Sequence, residues 1–132
     1  LVGPKVLLIN KYSASDGDLF PWSFKANKIG KVIGTRTWGG IVGISGPLPY
    51  MDDTDVRVPF FTNFDAKTGQ WIVENHGVDP DILIDNDPIK EQMGEDQQLN
   101  KAIEVIMQEL KDRKPLPKVP APRTFKDLGL KQ

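Results

Sequence analysis

Lys5-Val6-Leu7-Leu8-Ile9-Asn10, then Ser13-Ala14-Ser15-Asp16-Gly17-Asp18, then Val32-Ile33, is the stretch on which the fold turns. The unbroken apolar run Val6 to Ile9 predicts a strand buried on both faces, as in parallel sheets. The Ser/Asp/Gly cluster after it predicts a turn opening a helix near Ser15. Ser15 is placed to cap that helix, with Asp18 three residues on as in a capping box. Pro21 falls beyond the first turn and removes a helix bond, so a kink or a short first helix is expected. Gly30 is the expected stop, and Val32-Ile33 the second strand. Strand, helix and strand within about 30 residues make a βαβ unit, and an α/β fold.

Outward from this unit, Gly34-Thr35-Arg36-Thr37-Trp38-Gly39-Gly40 reads as a glycine-rich loop. Further strands are expected at Ile41–Ser45, Arg57–Phe61 and Gln70–Glu74, antiparallel or mixed, with a turn at Ala66–Gly69. Asp81–Ile84 reads as another short strand, and Asn86-Asp87-Pro88 as the opening of a turn or helix. A long C-terminal helix is predicted from Asp96 to Lys114. Leu99, Ala102, Ile103, Ile106, Met107 and Leu110 form one apolar stripe, Lys111, Arg113 and Lys114 suit its C-terminal dipole, and Pro115 stops it. Four prolines within residues 115–122 predict an extended tail: a strap, a linker or a partner ligand. The expected division is therefore residues 1–114 as one α/β unit and 115–132 as tail.

With 132 residues the chain is about one domain long. Having no cysteine, it has no disulfide framework, thiolate metal site or cysteine nucleophile. Charge is uneven: six Lys/Arg against two Asp in residues 1–50, three against twelve acids in 51–100, eight against four in 101–132. The net charge of −1 leaves no strong basic field for nucleic acid. There is no apolar run of 18 residues to span a membrane, and no signal peptide is expected at Leu1. A start without methionine points to a trimmed or excised segment. The acidic middle reads as solvated turns, a cation site or a docking face. Asp52, Asp53 and Asp55 are the carboxylates available to a hard cation, but no Gly or Glu stands at loop-metal spacing. No metal or cofactor is expected.

A serine just after a buried strand, at the mouth of a helix, suits a nucleophile. Backbone N–H groups there stabilise an oxyanion, and the helix dipole favours its charge. The same geometry serves a plain cap. Asn10 to Asp18, Gly34 to Gly40, Val73-Glu74-Asn75-His76-Gly77-Val78-Asp79-Pro80-Asp81 and Asn86-Asp87-Pro88, in that order over about residues 4–120, resemble the catalytic core of tricorn-type serine proteases, relatives of the carboxy-terminal processing peptidases.

The resemblance implies a crotonase-like α/β fold and peptide hydrolysis through an acyl-enzyme, in an oligomeric, multidomain parent. On it Ser15 is the nucleophile, Asp16 gives its backbone N–H to the oxyanion hole, and Glu74 is the acidic member acting through a bridging serine. In the processing-peptidase branch a lysine base follows the nucleophile by 25 residues. Here that position is Gly40 and the Gly34–Gly40 loop holds no lysine, so the tetrad of Ser, His, Ser and Glu is preferred. The family's His, its neighbouring Ser and a second oxyanion glycine lie well upstream, whereas only fourteen residues precede Ser15. The chain thus reads as the C-terminal part of a protease core, with peptides and the upstream half of the core as its partners.

His76, the only histidine, reads either as a base on the same strand face as Glu74 or as a polar residue entering a turn. Arg36 and Trp38 are candidates for lining a substrate cleft, or are a solvated arginine and a turn anchor. The rival to the enzyme is a non-catalytic interaction module, in which Ser15 only caps. The compartment stays open: cytoplasmic, or periplasmic where a signal peptide precedes the core.

Overall fold

The computed structural model describes residues 2–44, 48–113, 115–124 and 127–129. Strand β1 (Val6–Ile9), helix α1 (Asp16–Ala26) and strand β2 (Lys31–Gly34) form the expected βαβ unit. β1 and β2 pair in parallel, Leu7 with Val32 and Ile9 with Gly34. Between β2 and the next strand of this sheet lie β3 (Gly43–Ile44), β4 (Leu48–Pro49), β5 (Asp55–Val56) and β6 (Pro59–Phe61), two antiparallel pairs, β3 with β6 and β4 with β5. β7 (Ile82–Leu83) then returns to the sheet parallel to β2, giving the order β1-β2-β7. Helices α2 (Pro88–Gln92) and α3 (Gln97–Lys111) follow.

The strand buried on both faces is β2, in the centre, and not β1. β1 lies at the sheet edge and leaves Leu8 exposed. Val32 and Ile33, adjacent and so on opposite faces, are both wholly buried. Val32 joins Ile9 and Phe24 of α1 in one cluster, and both α1 and α3 pack on β1 and β2.

Helix α1 runs eleven residues straight through a buried Pro21, longer than expected. It ends before Gly30: Lys28 takes a left-handed φ of 51°, and the Ile29 N–H returns to the Phe24 carbonyl at 3.0 Å. α2 is capped by Asp87, whose carboxylate accepts from the Ile89 and Lys90 N–H groups, with Pro88 in the first turn. α3 is capped by Asp96 and closes at Lys111, three residues short of the expectation; Lys114 lies outside the described residues. Its apolar stripe divides. Ala102 is buried, while Leu99, Ile103, Met107 and Leu110 stay 41–55% exposed.

Of the expected strands, Arg57–Phe61 shortens to Pro59–Phe61 and Asp81–Ile84 to Ile82–Leu83, and two others change more. Of Ile41–Ser45 only Gly43 and Ile44 pair, because the Ile41 and Val42 N–H groups are taken by the Glu74 carboxylate; Ser45 lies outside the described residues. Gln70–Glu74 is not a strand. Trp71 makes one antiparallel bridge to Phe64 across the Ala66–Thr68 turn, and then Val73 (φ 66°) and Asn75 (φ 60°) fold the chain into a turn. Residues 115–124 carry no helix or strand and are exposed.

Candidate active site

Ser15 stands at the N-terminus of α1 with φ 58° and ψ −114°. A non-glycine residue held at positive φ costs about 1–3 kcal/mol and persists where its surroundings over-determine it. Ser15 and Asp18 are arranged as a capping box. Yet the Asp18 N–H goes to the Ser15 carbonyl at 2.8 Å, and the Ser15 hydroxyl makes no capping hydrogen bond. Ser15 and Asp16 are both exposed, and the Asp16 N–H has no hydrogen-bond partner among the described residues. A serine raised on a strained strand-to-helix turn, with a spare N–H beside it, is a recurrent way to present a nucleophile and stabilise an oxyanion.

The loop after β2 lies against this turn. The Trp38 N–H donates to the Ser13 carbonyl at 2.9 Å, and the Ser15 N–H to the Gly40 carbonyl at 3.2 Å. From the other side, Glu74 Oε2 accepts from the Ile41 and Val42 N–H groups at 2.7 and 3.0 Å, and the Asn75 N–H donates to the Gly39 carbonyl at 2.8 Å. Ser15 and Glu74 therefore grip the same short segment at successive residues, Ser15 at Gly40 and Glu74 at Ile41 and Val42. Gly39 (φ 87°) and Gly77 (φ 85°) let the two loops approach, since a Cβ on Gly39 would strike the Gly77 nitrogen and one on Gly77 the Thr37 carbonyl. Buried Thr37 closes the contact, its hydroxyl accepting from the Val78 N–H at 2.7 Å. Ile41, Ile72, Val73 and Val78 form a small core under these loops, against which Leu19 and Trp22 of α1 pack.

The structure does not bring His76 to Glu74. The turn at 74–76 removes the shared strand face, and His76 Nε2 lies 3.0 Å from Asp79 Oδ2. Asp79 also pairs with Arg36 (Nε to Oδ1, 2.6 Å). The Arg36 hydrogen bond, and then that of His76, hold the Asp79 carboxyl below its ordinary range. Arg36 is thus engaged at the surface. Trp38 is 67% exposed, with its indole lying over Gly40 at the edge of the Ser15 turn. Asp52 is occupied in a local turn, accepting from the Thr54 N–H and hydroxyl at 3.2 and 2.7 Å. Among the described residues no three Asp, Glu or His side chains gather as a metal site.

Sequence reasoning gave Asp18 a capping role and missed its wider one. Wholly buried, it also accepts from the Gly39 and Gly40 N–H groups at 2.9 and 3.2 Å. A bond from side chain to backbone across 21 residues leaves no periodic trace in a sequence.

The model of peptidase family S41 matches residues 2–84, more than half of the chain. The chain is 44% identical over 112 residues to the tricorn protease of Thermoplasma volcanium, covering 85% of this chain and 11% of that protein. It is 40% identical over 110 residues to tricorn protease homolog 1 of Streptomyces coelicolor, covering 83% of this chain and 10% of that protein. The crystal structure of the tricorn protease superposes with a TM-score of 0.75 at 42% identity, over 83% of this chain and 11% of that one. A crystal structure of a CPAF mutant superposes with a TM-score of 0.59 at 21% identity, over 88% of this chain and 22% of that one, a likeness of fold alone. The chain spans about a tenth of the length of the curated relatives it matches.

Proposed function

The chain belongs to peptidase family S41, and from that premise we propose that it is the nucleophile-bearing, C-terminal part of a tricorn-like serine peptidase core with a crotonase-like fold. Residues 1–114 are assigned to this part of the core and 115–132 to a tail, of which 115–124 carry no helix or strand. The observation that carries the reading is Ser15: exposed, at φ 58° at the mouth of α1, with the spare Asp16 N–H beside it.

In the assembled enzyme the Ser15 hydroxyl attacks a peptide carbonyl while a histidine on an upstream segment takes its proton. The Asp16 N–H, with a glycine N–H from that segment, stabilises the oxyanion. The C–N bond breaks, the histidine returns the proton to the leaving amine, and water then hydrolyses the Ser15 ester. Glu74 acts on the histidine through the upstream serine, while its second oxygen anchors Ile41 and Val42. Arg36 and Trp38 flank the cleft. An upstream half of the core, and further copies of the protein, cover surface that is open here. Leu83 on the edge strand β7 is 73% exposed and Phe60 77%, side chains that such a surface would cover.

The test is Ser15→Ala in the full-length protein. A lost cap would cost about 0.5–2 kcal/mol of stability and leave turnover intact; a lost nucleophile leaves the fold intact and lowers kcat by up to about 10⁶-fold. An active, merely destabilised variant would favour the non-catalytic module. Peptidase activity of the 132-residue chain alone, abolished by both Ser15→Ala and His76→Ala, would make His76 the base in place of the upstream histidine.

A further inference from the structure

We propose that Asp18 is a positioning residue for the reaction assigned to Ser15, locking the nucleophile turn to the segment Gly39–Val42; the proposal rests on the Ser15 reading and adds a residue to it. Asp18 is 0% exposed, and no cation pairs with it among the described residues. Its Oδ2 accepts from the Ser15 N–H at 3.0 Å and the Gly40 N–H at 3.2 Å, and its Oδ1 from the Gly39 N–H at 2.9 Å. The next two N–H groups, of Ile41 and Val42, go to Glu74. Four successive amides are therefore divided between two carboxylates, one on α1 and one on the 73–77 loop.

A carboxylate in a first helical turn needs only local N–H groups to cap its helix. Asp18 reaches 21 and 22 residues along the chain instead. Every N–H from Thr37 to Val42 is engaged within the chain, since those of Thr37 and Trp38 go to the Val78 and Ser13 carbonyls. The Asp16 N–H, beside the Ser15 hydroxyl, stays without a partner among the described residues. The Ser15–Asp16 peptide carries that N–H next to the Ser15 hydroxyl, and Asp18 adds side-chain ties to the loop beside the backbone bonds from Ser15 to Gly40 and from Trp38 to Ser13. A misplacement of about 1 Å costs on the order of 10²-fold in rate.

The experiment compares Asp18→Asn, Asp18→Glu and Ser15→Ala in the full-length protein, reading kcat, KM, thermal midpoint and the rate of labelling by a fluorophosphonate. Asparagine keeps one acceptor and turns an NH₂ donor toward N–H groups. Asp18→Asn is expected to lower kcat and labelling rate together by about 10²-fold with little change in KM. Asp18→Glu, which keeps both acceptors, is expected to recover part of that loss. A lowered midpoint with kcat and labelling rate unchanged would overturn the proposal. Should Asp18→Asn fail to fold, amide exchange in the unaltered protein decides: the Ser15, Gly39 and Gly40 amides are expected to exchange far more slowly than Asp16, and equal rates overturn it. Full activity in Asp18→Asn beside an inactive Ser15→Ala removes Asp18 alone, whereas an active Ser15→Ala removes the nucleophile reading itself.

Discussion

Two regions of this molecule are built on different terms. Around β1, α1 and β2, side chains interlock: Val32 and Ile33 are wholly buried, and the Asp18 carboxylate binds the Ser15 turn to Gly39 and Gly40. Between residues 43 and 71 the strands are two or three residues long, and Phe60, Phe61, Phe64 and Trp71 are each at least 58% exposed. Phe60 lies edge-on to Phe61 and Phe64 edge-on to Trp71. The first region has the two wholly buried hydrophobic side chains and holds the candidate chemistry. The second presents an apolar surface of the kind an adjoining surface covers.

The sharpest way to break the comparison is to hollow out the first region. Ile33→Ala is expected to destabilise by about 2–5 kcal/mol, from lost burial and the cavity left behind. Urea denaturation reads it, and a loss below about 0.5 kcal/mol would mean that the sheet does not carry the fold. Glu74→Gln comes next. Glutamine can turn its carbonyl oxygen to the Ile41 and Val42 N–H groups, so the loop contact survives while the charge goes. The account expects kcat to fall by about 10²-fold, or about 2.7 kcal/mol, with KM nearly unchanged; an unchanged kcat removes Glu74 from the mechanism.

Asp81 carries a smaller, pH-dependent share. Burial works against its ionisation, but the Val32 N–H at 2.8 Å and then Lys25 at 3.1 Å outweigh this and lower its pKa. A lowered folded-state pKa means stability that is present above the unfolded value, near 3.8, and lost as pH falls through the folded one. Asp81→Asn should cost about 1 kcal/mol at pH 7 and flatten the acid limb of a stability–pH curve; an unchanged limb would contradict this. The smallest effect belongs to the second region. Phe60→Ala should change the stability of the 132-residue chain by less than about 0.5 kcal/mol, while weakening association in the full-length protein. A loss as large as that of Ile33→Ala would erase the contrast.

The first region was also the more legible in sequence. Val6–Ile9 and the Ser15–Asp18 spacing are local signals there, as Asp87-Pro88 and Asp96 are further along the chain, and each marks an element the structure contains. What escaped depends on contacts far apart in the chain. Gln70–Glu74 alternates like a strand, but Glu74 is drawn to amides 32 and 33 residues away, and Val73 adopts a positive φ. The α3 periodicity named an apolar face without saying how much of it the sheet covers. The resemblance marked Ser15, Asp16 and Glu74, and the structure adds Asp18, which spacing alone presents as a cap.

The central claim is that Ser15 is the nucleophile and that its base comes from outside this segment. Treating the full-length protein and the 132-residue chain with a fluorophosphonate, then mapping the adduct by mass spectrometry, tests it most directly. The account predicts one adduct on Ser15 in the full-length protein and none on the chain alone. A full-length protein that hydrolyses peptides with its adduct on another serine would contradict the first half, and rapid labelling of Ser15 in the isolated chain would contradict the second.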